Sequence, residues 1–318
     1  MALSNLQVFD DWTRGAMQDK LAQNIELFNS ATNNAIVLRS VSNAGDYTDE
    51  AHFARIAGLV RRRDAYGSGA VSAVDVSQLL KTSVKVAAGT PPVNIDPSDY
   101  RWIQMSPDAA GIHYGEQLAE EMLQDMLNAA ISSNVAAIGS VAGLNYDGTA
   151  ATASLPSLNQ GAGKMMDRQG DIVAWVMHSK SLTDIYGTSL ANSERLFNIG
   201  NVKVMDDGFG RPLVMTDAPD LTFNDGVQKY RQLGLVQNAI VVEDNGDFDQ
   251  NTLTTNGTEN LARTIQSEWT FNLGQKGFTW DKANGGKSPT DAELATATNW
   301  DSSAANLKDQ AGVMVTTL

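Results

Sequence analysis

The sequence predicts an α+β fold in which strands from both halves of the chain surround one long helix. Apolar residues recur at helical spacing from Ser106 to about Val141, with Ser106 at the N-cap and Pro107 at the first helical position. Strand-like alternation in residues 45–92, and a mixture of short helices and strands in residues 150–268, indicate the β part of the fold. At about 1.5 Å per residue the helix would be about 50 Å long.

The two sides of the long helix differ in chemistry. One side is apolar, and the other is predicted to carry four carboxylates as a single acidic face: Glu116, Glu120, Glu121 and Asp125. No Lys or Arg occurs between Arg101 and Lys164, so this part of the chain is uniformly acidic.

Residues 1–34 are predicted to form an amphipathic helix through about Asn29, which Gly15 could divide into two pieces. A strand is expected over Ala35–Val41. Residues 45–92 contain few large apolar side chains, so we expect an extended two-stranded hairpin that projects from the body. An isolated hairpin is marginally stable in water, and this one would need a neighbour to lie on.

Residues after the long helix are predicted to form a loop and then alternating helices and strands in a mixed sheet. Helices are predicted at Ser157–Asp167 and Ser181–Leu190, and a capping box from Thr290 to Glu293. Strands are predicted at Asp171–Met177, Asn201–Met205, Leu213–Thr216 and Ala311–Leu318, with a strand pair within Leu233–Val242 and further strands within Ser267–Trp280. The connections include a loop at Gly143–Pro156, a turn at Asp207–Gly208 and an exposed acidic loop at Glu243–Asn251.

The composition excludes several classes of function. A formal net charge of −14 argues against a protein that binds the phosphates of nucleic acids. It is compatible with a protein surface that lies beside DNA without binding it. The absence of cysteine excludes disulfides, thiolate catalysis and cysteine metal sites. The first residues have no basic, apolar signal pattern, and no apolar run is long enough to cross a bilayer.

A search for catalytic and ligand motifs predicts no catalytic residue, no cofactor site and no metal site. The three histidines, His52, His113 and His178, are scattered, and surface or capping roles are expected for them. Gly161–Met165 resembles a phosphate loop but lacks its first glycine and its Ser or Thr. The acidic loop Asp244–Asp249 lacks the closing Glu of a calcium loop, which favours a solvated loop over a weak cation site.

The basic run Arg61–Arg63 stands out in this acidic chain, with Tyr66 close behind it. A nucleic-acid patch would need a basic surround, and a solvated run would have no partner. We favour a third interpretation, in which a positive tip on the hairpin contacts the acidic body of the next copy.

The order of these elements resembles that of the major capsid proteins of tailed bacteriophages. More specific similarities lie in four segments: Leu59–Gly67, Lys85–Pro92, Gly170–Lys180 and Asn198–Arg211. The resemblance covers nearly the whole chain. These segments are similar to a subgroup of the family that has no amino-terminal scaffolding segment. It implies an amino-terminal arm (1–34), an extended loop (45–92), a peripheral domain (93–149 and 269–318) with a spine helix (106–142), and an α/β axial domain (150–268).

The resemblance implies a non-enzymatic structural protein of the virion, made in the bacterial host cytoplasm, whose copies form an icosahedral shell around double-stranded DNA. The implied partners are other copies of the chain in hexamers and pentamers, a separate scaffolding protein unless the shell assembles without one, a portal and a decoration protein. Sequence-specific DNA binding and a membrane are not implied. Two alternatives stay open. One is an encapsulin-like compartment that encloses an enzyme, and the other is a metal-dependent hydrolase.

Overall fold

The computed structural model describes residues 5–53, 60–73, 75, 78–186, 195–199, 202–206, 211–257, 259, 261–304 and 306–318. The helices are α1 (Asn5–Ala31), α2 (Pro97–Met105), α3 (Pro107–Gly139), α4 (Leu155–Ala162), α5 (Ser179–Tyr186) and α6 (Asp291–Leu294). The strands are β1 (Ile36–Ser40), β2 (Tyr47–Phe53), β3 (Gln78–Gly89), β4 (Val93–Asn94), β5 (Asn145–Gly148), β6 (Ile172–Met177), β7 (Arg195–Ile199), β8 (Val202–Asp206), β9 (Pro212–Met215), β10 (Thr222–Asn224), β11 (Gln228–Val236), β12 (Ile240–Asp244), β13 (Asp249–Thr255), β14 (Ala262–Gln275), β15 (Phe278–Trp280), β16 (Trp300–Ser302) and β17 (Gly312–Thr317).

The predicted long helix is present as α3, which has 33 residues and contacts α1, α2, α6 and strands of both large sheets. Its carboxyl-terminal half is buried all round, from Ala129 to Ile138, because it contacts β12 and β14 on one side and β17 on another. A helix that is covered on every side needs apolar or small residues throughout. Ser106 occupies the N-cap position, but its side chain makes no capping hydrogen bond.

The first sheet has the strand order β1-β12-β14-β3-β2, and β13 and β4 also pair with β14. Within it, β1 runs parallel to β12, while β2 and β3 form an antiparallel pair from Tyr47–Val84 to Phe53–Gln78. The predicted pairing of two strands in residues 45–92 is thus present. Since β3 also pairs with β14, the base of this hairpin belongs to a larger sheet and is not isolated.

The second sheet has the strand order β5-β17-β11-β6-β9-β8-β7, with β10 on β11. It is mixed, as predicted, because β6–β9 and β5–β17 are parallel pairs and the other pairs are antiparallel. A third, two-stranded sheet joins β15 and β16. Apolar side chains from α3 and from both large sheets form one continuous core.

Helix α1 is continuous across Gly15, so the alternative of two helical pieces is wrong. It runs beside α3 in the same direction, since Gly111 lies against Phe9 and Gly115 lies against Thr13 and Met17. A Cβ atom at Gly115 would come within 2.5 Å of the carbonyl oxygen of Thr13. The two glycines therefore allow the helix backbones to approach each other closely.

Several local predictions in the middle of the chain are wrong in their details. The loop expected at Gly143–Pro156 contains β5, a short polar strand that β17 recruits as a parallel partner. The helix expected from Ser157 begins earlier, at Leu155, and gives way after Ala162 to a 3₁₀ helix. The strand pair expected within Leu233–Val242 does not form, because β11 and β12 belong to different sheets.

The helix expected from Ser181 begins at Ser179, and Ser181 is a buried residue whose hydroxyl accepts a hydrogen bond from Gln232. Its predicted end at Leu190 and the predicted turn at Asp207–Gly208 lie outside the described residues. The acidic loop expected at Glu243–Asn251 is wrong in its bounds and in its exposure. Its first two residues belong to β12 and its last three to β13. Glu243, which pairs with Arg39, and Phe248 are buried.

The predicted domain boundaries do not coincide with the membership of the sheets. Strands β12 and β13, which lie in the predicted axial region, pair into the first sheet, and β17 from the predicted peripheral region pairs into the second. Assignment of residues to axial and peripheral domains therefore stays a prediction.

Candidate functional site

The basic segment Arg61–Arg63 lies between the paired ends of β2 and β3 and is exposed along its whole length. Its neighbours are equally uncovered: Val60 is 94% exposed and Tyr66 is 100% exposed. Within the described residues no carboxylate forms an ion pair with these three guanidinium groups. An uncovered aromatic ring and three uncompensated charges on one extended segment are typical of a surface that another molecule covers.

The four acidic residues predicted on α3 do not form one face. At about 100° per residue, Asp125 lies about half a turn around the helix from Glu116. Glu116 lies beside α1, in a groove that it shares with Trp12 and Lys20, and Glu120 is close to it around the helix. Glu121 and Asp125 instead line a separate groove on the other side of α3. The single acidic face of the sequence analysis is therefore two smaller groups.

The groove that contains Glu121 and Asp125 has a volume of about 690 Å³. It lies between α3, the end of β3 and the residues that begin α6, and its carboxylates come from two elements. Its lining residues are Val86, Ala87, Ala88, Gly89, Thr90, Pro91, Tyr114, Gln117, Leu118, Glu121, Asp125, Trp269, Phe271, Pro289, Thr290 and Asp291. No Lys or Arg lines it, so its charge is entirely negative at neutral pH. We call it the acidic groove.

Burial and the nearby Asp291 carboxylate raise the pKa of Asp125 to about 6. Removal from water disfavours the charged form, and a like charge adds to this effect. Asp291 is held at this position because α6 begins with the predicted capping box, in which the side chains of Thr290 and Glu293 cap each other's main-chain N–H groups. An opposite charge placed beside Asp125 would favour its ionised form and lower this pKa.

One edge of β3 is open beside the acidic groove. Strand β2 pairs with β3 only as far as Val84, whereas β14 pairs with it as far as Gly89. The N–H group of Lys85 donates to Asp46, on the side away from β14. Because these groups alternate along a strand, the N–H and C=O groups of Ala87 and Gly89 point the same way. Both residues are exposed, so they offer main-chain groups to an added strand.

Two ion pairs fix the base of the hairpin to the loop after β15. The amine of Lys282 lies 2.7 Å from a carboxylate oxygen of Asp49, and that of Lys287 lies 2.7 Å from one of Asp46. These lysines lower the pKa of both carboxyl groups. The direction in which the hairpin leaves the body is thereby tied to residues far along the chain.

The histidines have the ordinary roles expected for them where their side chains are described. The Nδ1 atom of His178 accepts a hydrogen bond from the main-chain N–H of Lys180 at the start of α5. His113 is exposed on α3 beside Gln117 and Trp102. The side chain of His52 lies outside the described residues. Among the described side chains, no group of three His, Asp or Glu residues is placed to hold a metal ion, and no described helix is long and apolar enough to span a membrane.

Three features of these surfaces were not found from the sequence: Asp291 as a groove residue, the open edge of β3 and the contact of α1 with α3. The last had a signal, since Gly111 and Gly115 are four residues apart and so lie on one side of the helix. The open edge had none, because the extent of strand pairing depends on where β2 begins.

The model of the Gp13-like family, whose description is "Major capsid protein 13-like", matches residues 5–314. No curated protein matches this chain in sequence. Solved structures with a similar fold include the capsid of Ralstonia phage GP4, at 13% identity and a TM-score of 0.48 over 90% of this chain and 87% of that one. The capsid asymmetric unit of cyanophage Pam1 is 12% identical with a TM-score of 0.49, over 86% and 85%. A structure from Microbacterium phage Oxtober96 is 14% identical with a TM-score of 0.45, over 91% of each chain.

Proposed function

Because this chain belongs to the Gp13-like family of major capsid proteins, we propose that its copies form hexamers and pentamers that close an icosahedral shell around double-stranded DNA. The family match carries this proposal, since it extends over nearly the whole chain and confirms the capsid protein expected from the sequence. The role of the protein is structural, in the capsid of a virion. Closed shells of one chain require heterologous contacts, in which two different surfaces of each copy meet.

Two such surfaces are on the chain. The exposed segment Arg61–Arg63 with Tyr66 supplies positive charge at the hairpin, and the acidic residues of α3 supply negative charge on the body. We propose that the basic segment of one copy contacts the body of the next, and that the amino-terminal arm (1–34) and the extended loop (45–92) overlap adjacent copies. Residues 150–268 form the axial contacts, and residues 93–149 and 269–318 form the periphery.

The net charge of −14 supports the proposal that the wall of the shell encloses DNA without binding it. Carboxylates repel the phosphate backbone, so DNA can move along such a wall as it is packaged. Part of this negative charge comes from the acidic residues on the two sides of α3, which are Glu116, Glu120, Glu121 and Asp125. The proposal includes synthesis in the host cytoplasm and assembly with a separate scaffold, a portal and a decoration protein, without catalytic activity.

The contents of the shell are tested by isolating particles, treating them with nuclease and measuring the DNA that remains protected. We expect double-stranded DNA of uniform length. Particles that contain an enzyme and no DNA would indicate an encapsulin-like compartment instead, and a monodisperse monomer with a metal-dependent activity would indicate a hydrolase.

The basic segment is tested by replacing Arg61, Arg62 and Arg63 with Ala. We expect the monomer to keep its fold, because these side chains are exposed. The yield of particles should fall. The matched control replaces the same three arginines with Lys, which keeps the positive charge of the segment and should keep more of the particle yield. A normal particle yield from the Arg61–Arg63 variant would contradict the role of the segment.

Charge repulsion by the wall is tested by replacing Glu116 and Glu120 with Gln, which leaves Glu121 and Asp125 of the acidic groove in place. We expect the shells of this variant to retain nucleic acid on their inner wall or to package DNA more slowly. Unchanged packaging and no trapped nucleic acid would count against the repulsion argument while leaving the shell itself intact.

A further inference from the structure

We propose that the acidic groove is the docking site for the Arg61–Arg63 segment of a second copy, which lies in extended form along the open edge of β3. This inference rests on the proposed function, since it requires copies to meet, and it names the surface that receives the basic segment. Neither Glu116 nor Glu120 takes part.

Charge is the first argument for this occupant. Glu121 and Asp125 from α3 and Asp291 from α6 face the groove, and no cation of the groove compensates them. Arg61–Arg63 is the longest run of consecutive basic residues in the chain. The guanidinium fork matches a carboxylate in two parallel hydrogen bonds, so arginine is better suited to this lining than lysine.

Main-chain geometry is the second argument. The groups of Ala87 and Gly89 on the open edge are placed to bond an extended segment, in the manner of strand addition. The described residues around Arg61–Arg63 form no helix and no strand of their own. Such a segment has main-chain donors and acceptors to offer, and a strand added at this edge would run directly beside the carboxylates.

The third argument concerns the walls of the groove. Trp269 lines it and is only 6% exposed, yet its indole N–H has no hydrogen-bond partner within the described residues. The partly buried ring of Tyr114 adds aromatic surface. Aromatic faces suit a guanidinium group, and they also suit the ring of Tyr66, which is uncovered in the single copy.

The occupant comes from another copy because the chain's own segment is elsewhere. From Val86 to Gln78, β3 carries the chain about 25 Å away from the groove before the connection to Arg61–Arg63 begins. In the structure the segment is exposed, and none of its residues lines its own groove. A contact between two different surfaces of identical chains is the heterologous kind that builds rings.

Acid should weaken this contact. The titratable groups that face Asp125 are Glu121 and Tyr114 on α3 and Asp291 on α6, and no base opposes them. With its pKa raised to about 6, Asp125 becomes neutral at pH 5 and the groove loses a charge. A bound guanidinium would lower that pKa, so binding and proton release are linked.

The test is binding of a synthetic peptide with the sequence of Val60–Ser68 to the labelled full-length chain, kept at nanomolar concentration so that copies do not compete. We expect saturable binding at pH 8 that weakens at pH 5. Replacing Glu121 with Gln and Asp125 with Asn should weaken it about tenfold or more, since charged hydrogen bonds are lost. Replacing Glu116 and Glu120 with Gln changes the net charge equally and should leave binding within about twofold.

Three results would overturn the proposal: no binding to the unmodified chain, equal weakening by both pairs of substitutions, or equal binding of a peptide with the same residues in scrambled order. The assembly counterpart is a charge exchange. One half is Arg61→Glu with Arg62→Glu and Arg63→Glu, and the other half is Glu121→Lys with Asp125→Lys. Each half alone should block particle formation, and the combination should restore it. If particles form in all cases, the shell function stands and the groove is not the contact.

Discussion

The contact of α1 with α3 gives a stability prediction whose sign can be worked out from distances. Replacing Gly115 with Ala would place a methyl group 2.5 Å from the carbonyl oxygen of Thr13 and 3.1 Å from the main-chain nitrogen of Met17. These are backbone atoms of a packed helix, and they cannot rotate out of the way. The two helices would have to separate along their contact.

Two opposing terms set the magnitude. Alanine favours a helix over glycine by about 1 kcal/mol. Forcing a methyl group into a packed contact costs about 1–3 kcal/mol, and contacts with backbone place this case near the upper end. We therefore expect Gly115→Ala to lower the free energy of unfolding by about 2 kcal/mol.

Gly15 provides the matched control. It lies in the interior of α1, and a Cβ atom built there meets nothing within 4 Å. Only the propensity term remains, so Gly15→Ala should raise the free energy of unfolding by about 1 kcal/mol. Urea unfolding of the unassembled protein, followed by circular dichroism, measures both variants. A Gly115→Ala variant as stable as the unmodified chain would refute the close helix contact.

Two further predictions concern charged groups. Asp125 has a folded pKa near 6, above its ordinary value of 3.8, so the folded state binds more protons between these values and the stability from this group falls as pH rises from about 4 to 6. Asp125→Asn should remove that slope and, discounted for partial exposure, raise stability at pH 8 by about 1–2 kcal/mol; identical pH profiles of the two proteins in urea unfolding would contradict this. The double variant Lys282→Ala with Lys287→Ala should barely change the unfolding midpoint, because the ion pairs with Asp49 and Asp46 are exposed. It should nevertheless speed amide hydrogen exchange in β2. Unchanged exchange there would show that these ion pairs do not hold the hairpin.

The elements that could be predicted from the sequence are those whose pattern is local. The long helix was evident because its apolar repeat extends over many turns, and the strands at Asp171–Met177 and Ala311–Leu318 because each is a short, almost wholly apolar run. The capping box at Thr290 and Glu293 is a pattern of two residues and is present in the structure. Such signals do not depend on the rest of the fold.

The errors fall where distant residues decide. Strand β5 is polar and becomes a strand only because β17 lies beside it. The strands β11 and β12 are adjacent in sequence, yet they pair with partners in different sheets. Gly15 is tolerated within α1 because the helix is stabilised by packing on α3, which outweighs the low propensity of one residue.

The candidate surfaces divide in the same way. The exposure of Arg61–Arg63 followed from charge and composition, because three adjacent arginines without partners are rarely buried. The acidic groove did not, since it combines residues of α3 with Asp291, far along the chain, and with an edge of β3. Four carboxylates within a short stretch of helix suggested one face, but their spacing places them on two.

The measurement that tests the central claim most directly is negative-stain electron microscopy of the protein purified after expression alone, with size-exclusion chromatography of the same sample. We predict shells, tubes or rings of capsomers, built from many copies of this chain. If the protein expressed alone elutes as a monomer, co-expression with the neighbouring genes would supply a scaffold and should produce the shells. A chain that stays monomeric under both conditions would contradict a shell-forming capsid protein.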